Sequence, residues 1–374
     1  MHVLLVSKPL APPWNDSGKN WARDIATYAR HQTIHHVMVP LGSDAFDALD
    51  NVVPEPVYRD NAAFAPALMD KSRTLVRLLQ KRCDLVHFCF APNRRTNQVA
   101  QAIMRLRRQP SVHTVLSVPE SFDNVQRLLF AQRVVCVSAS TANRLELAGV
   151  RGVELVPASI PVPPPLRETD EARITAVARQ LGLSLSRPIV LFPGDYEFSR
   201  AADVFAGAIE RLWQHTDAQF VFACRIKRKD SLERELALRT QLAGPTRAGA
   251  VRFLRTVDDM IALLALAAVV AFPAESSYAK MDLPLVLLEA LAQKTPLVLA
   301  DVAPQNETLG SRPEAHGGLL VPPLDPDALA EAIHALLRDE PLRHELGRRG
   351  RNHVLQHHDA SQVCTLYEEV YRRV

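Results

Sequence analysis

The chain has 374 residues, of which 47% are hydrophobic and 23% charged. That length exceeds one ordinary domain and suits two, and the balance excludes a disordered chain, a collagen or a disulfide-rich scaffold. With 44 Lys/Arg against 41 Asp/Glu the net charge is +3, which lacks the basic excess of a general nucleic-acid binder.

The chain begins with an apolar run, residues 3–7, without the charged segment that precedes a signal peptide's core. A proline-rich loop at 9–13 follows, then a helical pattern over 20–30. Short apolar runs at 37–40, 85–90, 112–116 and 134–137 predict further buried strands, with helices at 71–81 and 98–108 between them. Strands alternating with helices predict a parallel sheet covered on both faces. His87 lies inside an apolar run and reads as a core histidine. Residues 1–170 carry 20 Lys/Arg against 15 Asp/Glu. This excess suggests an anionic acceptor or an anionic membrane surface, with chance asymmetry in arginine usage as the alternative.

Residues 157–165 hold five prolines in nine positions, a composition that predicts a stiff linker between domains. The pattern then restarts. Strands are predicted at 189–192, 220–223, 269–272 and 297–299. Helices are predicted at 201–213, 260–267, 285–292, 328–337 and 360–372, with Asp325-Pro326-Asp327 as a helix start signal. The longest apolar run, 261–272, is shorter than the roughly 20 residues a bilayer requires. Five cysteines with no Cys-x-x-Cys pair predict reduced thiols in a cytoplasmic protein and no zinc site. The fold class predicted is α/β, two doubly wound domains with a ligand cleft between them, at the carboxyl ends of the strands.

Residues 269–326 carry a resemblance. Ala-Phe-Pro-Ala at 271–274, Leu285-Val-Leu-Leu-Glu289-Ala-Leu-Ala292, Thr295-Pro-Leu-Val298, Asn306-Glu307, Gly317-Gly-Leu-Leu-Val-Pro322 and Asp325 resemble the donor-binding domain of glycosyltransferase family 4. The similarity is strong over 130–374 and thin before that. It implies the GT-B architecture, two Rossmann-like domains facing a central cleft. The boundaries expected are 1–160 for an acceptor-side domain and 161–358 for a donor domain, with a terminal helix at 359–374 returning to the first domain. The activity implied is transfer of a sugar from a nucleotide-sugar to an acceptor hydroxyl with retention, without a metal or other cofactor. A UDP-sugar is favoured over a GDP-sugar. The acceptor implied is a glycan, a lipid-linked molecule or a small molecule. Peripheral contact with the inner face of an anionic membrane is a further expectation. A catalytically silent homologue that binds a nucleotide or sugar is the alternative, and a nucleotide-sugar epimerase a weaker one.

The resemblance also implies site residues. Glu289, read at the opening of its helix, matches the second Glu of the family's E-x7-E motif and would accept hydrogen bonds from the ribose hydroxyls. The first Glu falls at Met281, leaving Lys280 or Asp282 to take its work. Ser276 and Leu285 complete the candidate donor loop, which an ordinary polar loop would also explain. The family's G-R-x4-K falls on Gly194-Asp195-Tyr-Glu-Phe-Ser-Arg200, so Arg200 supplies a phosphate-binding cation and Asp195 replaces the other. Arg225 and Lys227 are candidate replacements. In the first half, Ser17, Gly18 and Lys19 form a candidate loop for phosphate or acceptor, or a capped turn. The family's histidine position falls at Leu116 or Ser117, so no role is carried to His113.

Overall fold

The computed structural model describes residues 1–29, 32–60, 68–92, 94–197, 199–226, 228–278 and 280–374. The chain divides into two units. Unit 1 takes Met1–Pro161, residues 280–285 and His357–Val374, and unit 2 takes Val162–Tyr278 and Val286–Gln356.

Unit 1 is built on a seven-stranded sheet. Its strands are β1 (His2–Val6), β2 (Ile34–Pro40), β3 (Val52–Tyr58), β4 (Leu85–Cys89), β5 (Ser111–Val115), β6 (Arg133–Cys136) and β7 (Val153–Leu155). The order is β3-β2-β1-β4-β5-β6-β7, and every pairing is parallel. Parallel neighbours require crossovers, and helices Ser17–Thr27, Leu68–Gln80, Arg94–Arg107 and Ala139–Leu147 supply four of them. The middle strands are buried on both faces, which is why they read as unbroken apolar runs.

Unit 2 repeats the plan with β8 (Ile189–Phe192), β9 (Gln219–Ala223), β10 (Val251–Leu254), β11 (Val269–Phe272), β12 (Leu297–Ala300) and β13 (Gly318–Val321). The order is β10-β9-β8-β11-β12-β13, again parallel throughout. Its core is aromatic. Phe192, Phe205 and Phe222 lie within 5.0–6.0 Å of one another between ring centroids, and Phe222 stacks on Phe253 at 4.7 Å. Asp325 accepts hydrogen bonds from the amides of Asp327 and Ala328, so the Asp-Pro-Asp signal starts helix Pro326–Arg338.

The proline segment is not a free linker. Ala158, Ser159 and Ile160 are buried, and Ile160 exchanges backbone hydrogen bonds with His358 and Ala360. His358 adds a ring contact of 2.7 Å to the Ala158 carbonyl. The returning chain therefore clamps this stretch within unit 1. Helix Ala360–Arg372 then lies on unit 1, where the Tyr371 hydroxyl meets His87 Nδ1 at 2.8 Å and Thr33 donates to Glu368. Residues 280–285, expected within 161–358, belong instead with unit 1. Among the described residues no helix is long and apolar enough to cross a membrane.

Candidate active site

In each sheet the first strand sits in the middle, and the chain adds strands to one side before crossing to the other. The reversal falls between β1 and β4 in unit 1 and between β8 and β11 in unit 2. Loops at the carboxyl ends of such strands diverge and leave a crevice that suits a ligand.

In unit 2 three loops converge there. Glu197, in the loop after β8, accepts a hydrogen bond from Ser231 at the start of helix Lys229–Gln241, beyond β9. The Arg200 amide donates to both carboxylate oxygens of Glu275, in the loop after β11, at 2.8 and 3.0 Å. Tyr196 is buried, and its hydroxyl is pushed up by burial and by nearby Cys224. The loop after β8 is thus tied on both sides, and the ties hold the first turn of helix Ala201–Leu212 in place.

The cations stand on this frame. Arg200 is exposed and is the N-cap residue of helix Ala201–Leu212. Arg225 is half-buried, two residues beyond β9. Among the described residues neither guanidinium makes a hydrogen bond or an ion pair, so both are available to an anion. Lys227 lies outside the described residues. Asp195, in the place of the family's arginine, is buried rather than displayed to solvent. Gly194 has a packing reason: a Cβ there would overlap the Phe192 ring.

Glu289 does not open its helix. It is the fifth residue of Leu285–Ala292, one turn in, and half-exposed between the buried Leu288 and Ala290. Leu285 is buried at the helix start, so a ligand could use only its backbone. The Ser276 hydroxyl accepts from the Tyr278 amide and shapes a turn. Lys280 is half-buried and Met281 is buried. Asp282 is corrected most. It is fully buried in unit 1, where its carboxylate accepts from Ser138 Oγ at 2.7 Å and its amide donates to the Leu116 carbonyl at 2.9 Å. It is not a polar loop residue displayed to a sugar.

In unit 1, Ser17, Gly18 and Lys19 begin helix Ser17–Thr27, and Asp16 caps it by accepting from the Lys19 amide. The turn is therefore already capped by a carboxylate, which Lys8 pairs at 2.9 Å. Lys19 is buried with its ammonium 5.8 Å from the Trp14 ring centroid, and burial lowers its pKa. Arg23 lies 5.0 Å from the same ring. His87 is a core histidine, held by Tyr371 and Thr114, and His113 is bound to the Phe90 carbonyl. Sequence reasoning missed the partners of Glu275, Glu197 and Ser138, which lie 75, 34 and 144 positions away. Asp16 was findable, as a carboxylate three residues before an amide at a helix start.

Comparison with known proteins agrees with this geometry. Residues 187–339, nearly all within unit 2, match the family model described as Glycosyl transferases group 1. The D-inositol 3-phosphate glycosyltransferase of Corynebacterium urealyticum is 29% identical over 211 residues, covering 54% of this chain and 47% of that one. The chain thus spans about half the length of the curated relatives it matches. A glycosyltransferase from Rickettsia africae superposes with a TM-score of 0.77 at 15% identity, covering 100% of this chain and 98% of that one. HepE of Anabaena, solved with UDP-glucose, superposes with a TM-score of 0.74 at 16% identity, with both chains covered completely. Two parallel Rossmann-like sheets and these superpositions give the chain the GT-B fold, and its residues 187–339 are similar to the group 1 glycosyl transferases.

Proposed function

We propose that the chain is a glycosyltransferase that moves a sugar from a nucleotide-sugar, with UDP favoured as the nucleotide, to an acceptor hydroxyl with retention of configuration and without a metal. The observation that carries this reading is the pair Arg200 and Arg225, whose guanidinium groups make no hydrogen bond or ion pair among the described residues, on the tied loops inside the segment that matches the group 1 model. A departing diphosphate gains negative charge as the glycosidic bond breaks. Fixed cations beside it stabilise the transition state more than the ground state. Glu289, half-exposed between buried neighbours on its helix, suits a ribose, since one carboxylate accepts from two neighbouring hydroxyls. Retention follows if the acceptor oxygen attacks from the face the diphosphate leaves. HepE, with bound UDP-glucose, supports the choice of donor by analogy of fold.

The acceptor would be met by unit 1. Two of its helices present apolar side chains outward: Met69, Val76 and Leu79 on Leu68–Gln80, and Val99 and Leu106 on Arg94–Arg107. Exposed Lys71, Arg82, Arg105 and Arg108 accompany them. Such a surface suits an anionic bilayer carrying or neighbouring the acceptor. Co-sedimentation with vesicles of anionic lipid, compared with neutral vesicles, tests this part.

The central test is a thermal-shift screen of UDP, GDP, ADP and TDP, followed by donor hydrolysis with the sugar of the nucleotide that binds. A shift with UDP and release of UDP from a UDP-sugar are expected. Binding without turnover under any acceptor would favour the silent homologue, and binding of no nucleotide would overturn both readings.

A further inference from the structure

Arg200 is held by its backbone and left open at its side chain. Its carbonyl accepts from the amides of Asp203 and Val204 as helix Ala201–Leu212 begins, and its amide donates to both carboxylate oxygens of Glu275 at 2.8 and 3.0 Å. An amide at a helix start has no partner within the helix, and a carboxylate three residues on often reaches back to accept from it. That place is held here by Asp203, but its carboxylate pairs instead with Arg234 of helix Lys229–Gln241. Glu275, 75 positions along the chain, does the work of the local cap.

Glu275 is itself fixed on both sides. It lies three residues beyond β11, and the buried Ala274 before it accepts at its carbonyl from Gln305 Nε2. Gln305 is fully buried and opens the 3-10 turn Gln305–Leu309 after β12. Ser276, on the other side, turns the chain by accepting from the Tyr278 amide. A loose carboxylate among loops that receive a diphosphate would repel it, whereas at a helix N-terminus its charge is favoured. The carboxylate meets the amide of Arg200 and not its guanidinium. Asp203 and Glu275 are thus both engaged, and neither claims the cation.

We infer that Glu275 is a positioning residue for Arg200: its bond to the Arg200 amide sets where helix Ala201–Leu212 begins, and so where the guanidinium stands to meet the departing diphosphate. Arg200, Asp203, Arg234, Glu275 and Gln305 all lie in unit 2. The inference rests on the reading of Arg200 as a diphosphate-binding cation given above.

The test measures kcat and KM for UDP-sugar hydrolysis, UDP affinity by calorimetry, and the thermal midpoint for Glu275→Ala, Glu275→Asp, Glu275→Gln, Arg200→Ala and the Arg200→Ala/Glu275→Ala double variant. Glu275→Ala should lower kcat about tenfold with KM within about threefold, because a displaced cation fails mainly as the leaving charge develops. Glu275→Asp keeps the charge but is one methylene shorter, so it should lose about fivefold in kcat. Glu275→Gln keeps an oxygen that accepts from the amide and should stay within about twofold of the wild type. With Arg200 removed there is no guanidinium to place, so the double variant should turn over within about twofold of Arg200→Ala. A folded Glu275→Ala with wild-type kcat, or a further tenfold loss on top of Arg200→Ala, would overturn the inference alone. If Glu275→Ala fails to fold, the Asp and Gln variants decide, and equal kcat in the two would overturn it. Wild-type turnover in Arg200→Ala, or a wild type that binds no UDP, would overturn the functional reading and this one with it.

Discussion

The two units share one sheet plan and differ in what they bury. Every buried histidine among the described residues is in unit 1: His35, His36, His87, His113 and His358. Burial holds His35 at about 3, and His113 and His358 at about 4, all below the ordinary 6.5. Unit 1 also buries Glu55 among His36, Arg77 and Lys81. Burial raises its carboxyl, but the bonds from His36 and Lys81 and the charge of Arg77 outweigh that and bring it to about 2. Unit 2 packs phenylalanines at its centre and keeps Arg200 and Arg225 on the loops above the sheet. One architecture thus tolerates two core chemistries, and the unit with the drier core is the one assigned the charged leaving group.

The largest expected effect is acid unfolding of unit 1 ahead of unit 2. His35, His113 and His358 are neutral when folded and take up protons on unfolding. The stability they contribute is complete above pH 6.5 and falls as pH drops toward 4, by about 3 kcal/mol for each ring. All three act in the same direction, so acid favours the unfolded form of unit 1. Below pH 4.5 the depressed Glu55 carboxyl adds to the loss, since its contribution disappears as pH falls toward 2. In a Trp213→Phe variant the remaining tryptophans, Trp14 and Trp21, both lie in unit 1. Their emission should shift between pH 6 and 4 while about half of the far-ultraviolet helix signal persists. A single transition in both signals would break the comparison.

The next effect tests the charged loops of unit 2. Arg200→Ala should lower kcat by about 10²-fold, more than it raises donor KM, because the cation matters most as the diphosphate leaves. Arg225→Ala should show a smaller loss of the same kind. Wild-type turnover in both variants would place the phosphate site elsewhere.

Glu289→Ala should weaken UDP binding by about 1–3 kcal/mol, the cost of removing a charged hydrogen-bond partner. Calorimetry checks this, and an unchanged affinity would remove Glu289 from the donor site. The smallest expected effect is none at all: turnover should survive EDTA, since side-chain cations take the metal's role in this reading. An absolute need for Mn²⁺ or Mg²⁺ would end the assignment of that role to Arg200.

The strands that escaped sequence reading are instructive. They are β3, β7, β10 and β13, the four edges of the two sheets. A central strand is buried on both faces and reads as an apolar run, while an edge is half-wet and reads as mixed. β3 carries Pro54 and Pro56, which argue against a strand in the chain but are tolerated at an edge, where a missing N–H costs no ladder bond. Helix Pro326–Arg338, by contrast, was legible from its cap because the signal and the structure it specifies are three residues apart. The candidate site was legible to the same degree. Arg200 and Glu289 could be placed by motif spacing, whereas the partners of Glu275, Glu197 and Ser138 could not, because they lie 75, 34 and 144 positions away.

By itself the sequence determined two doubly wound α/β halves, the place where the pattern restarts, and the resemblance at 269–326. These follow from periodicity, proline placement and local motif, which act over a few residues. Only the tertiary structure decided that the proline stretch is clamped by His358 and Ala360, and that Asp282 is buried against Ser138 rather than displayed to a sugar. Only the tertiary structure decided, too, that among the described residues the guanidinium groups of Arg200 and Arg225 make no ion pair, while Arg211, Arg234 and Arg239 pair with carboxylates. The reason is range: hydrogen bonds and ion pairs join residues that the fold brings together from 75 to 200 positions apart, and no pattern within a strand or a helix encodes such partners.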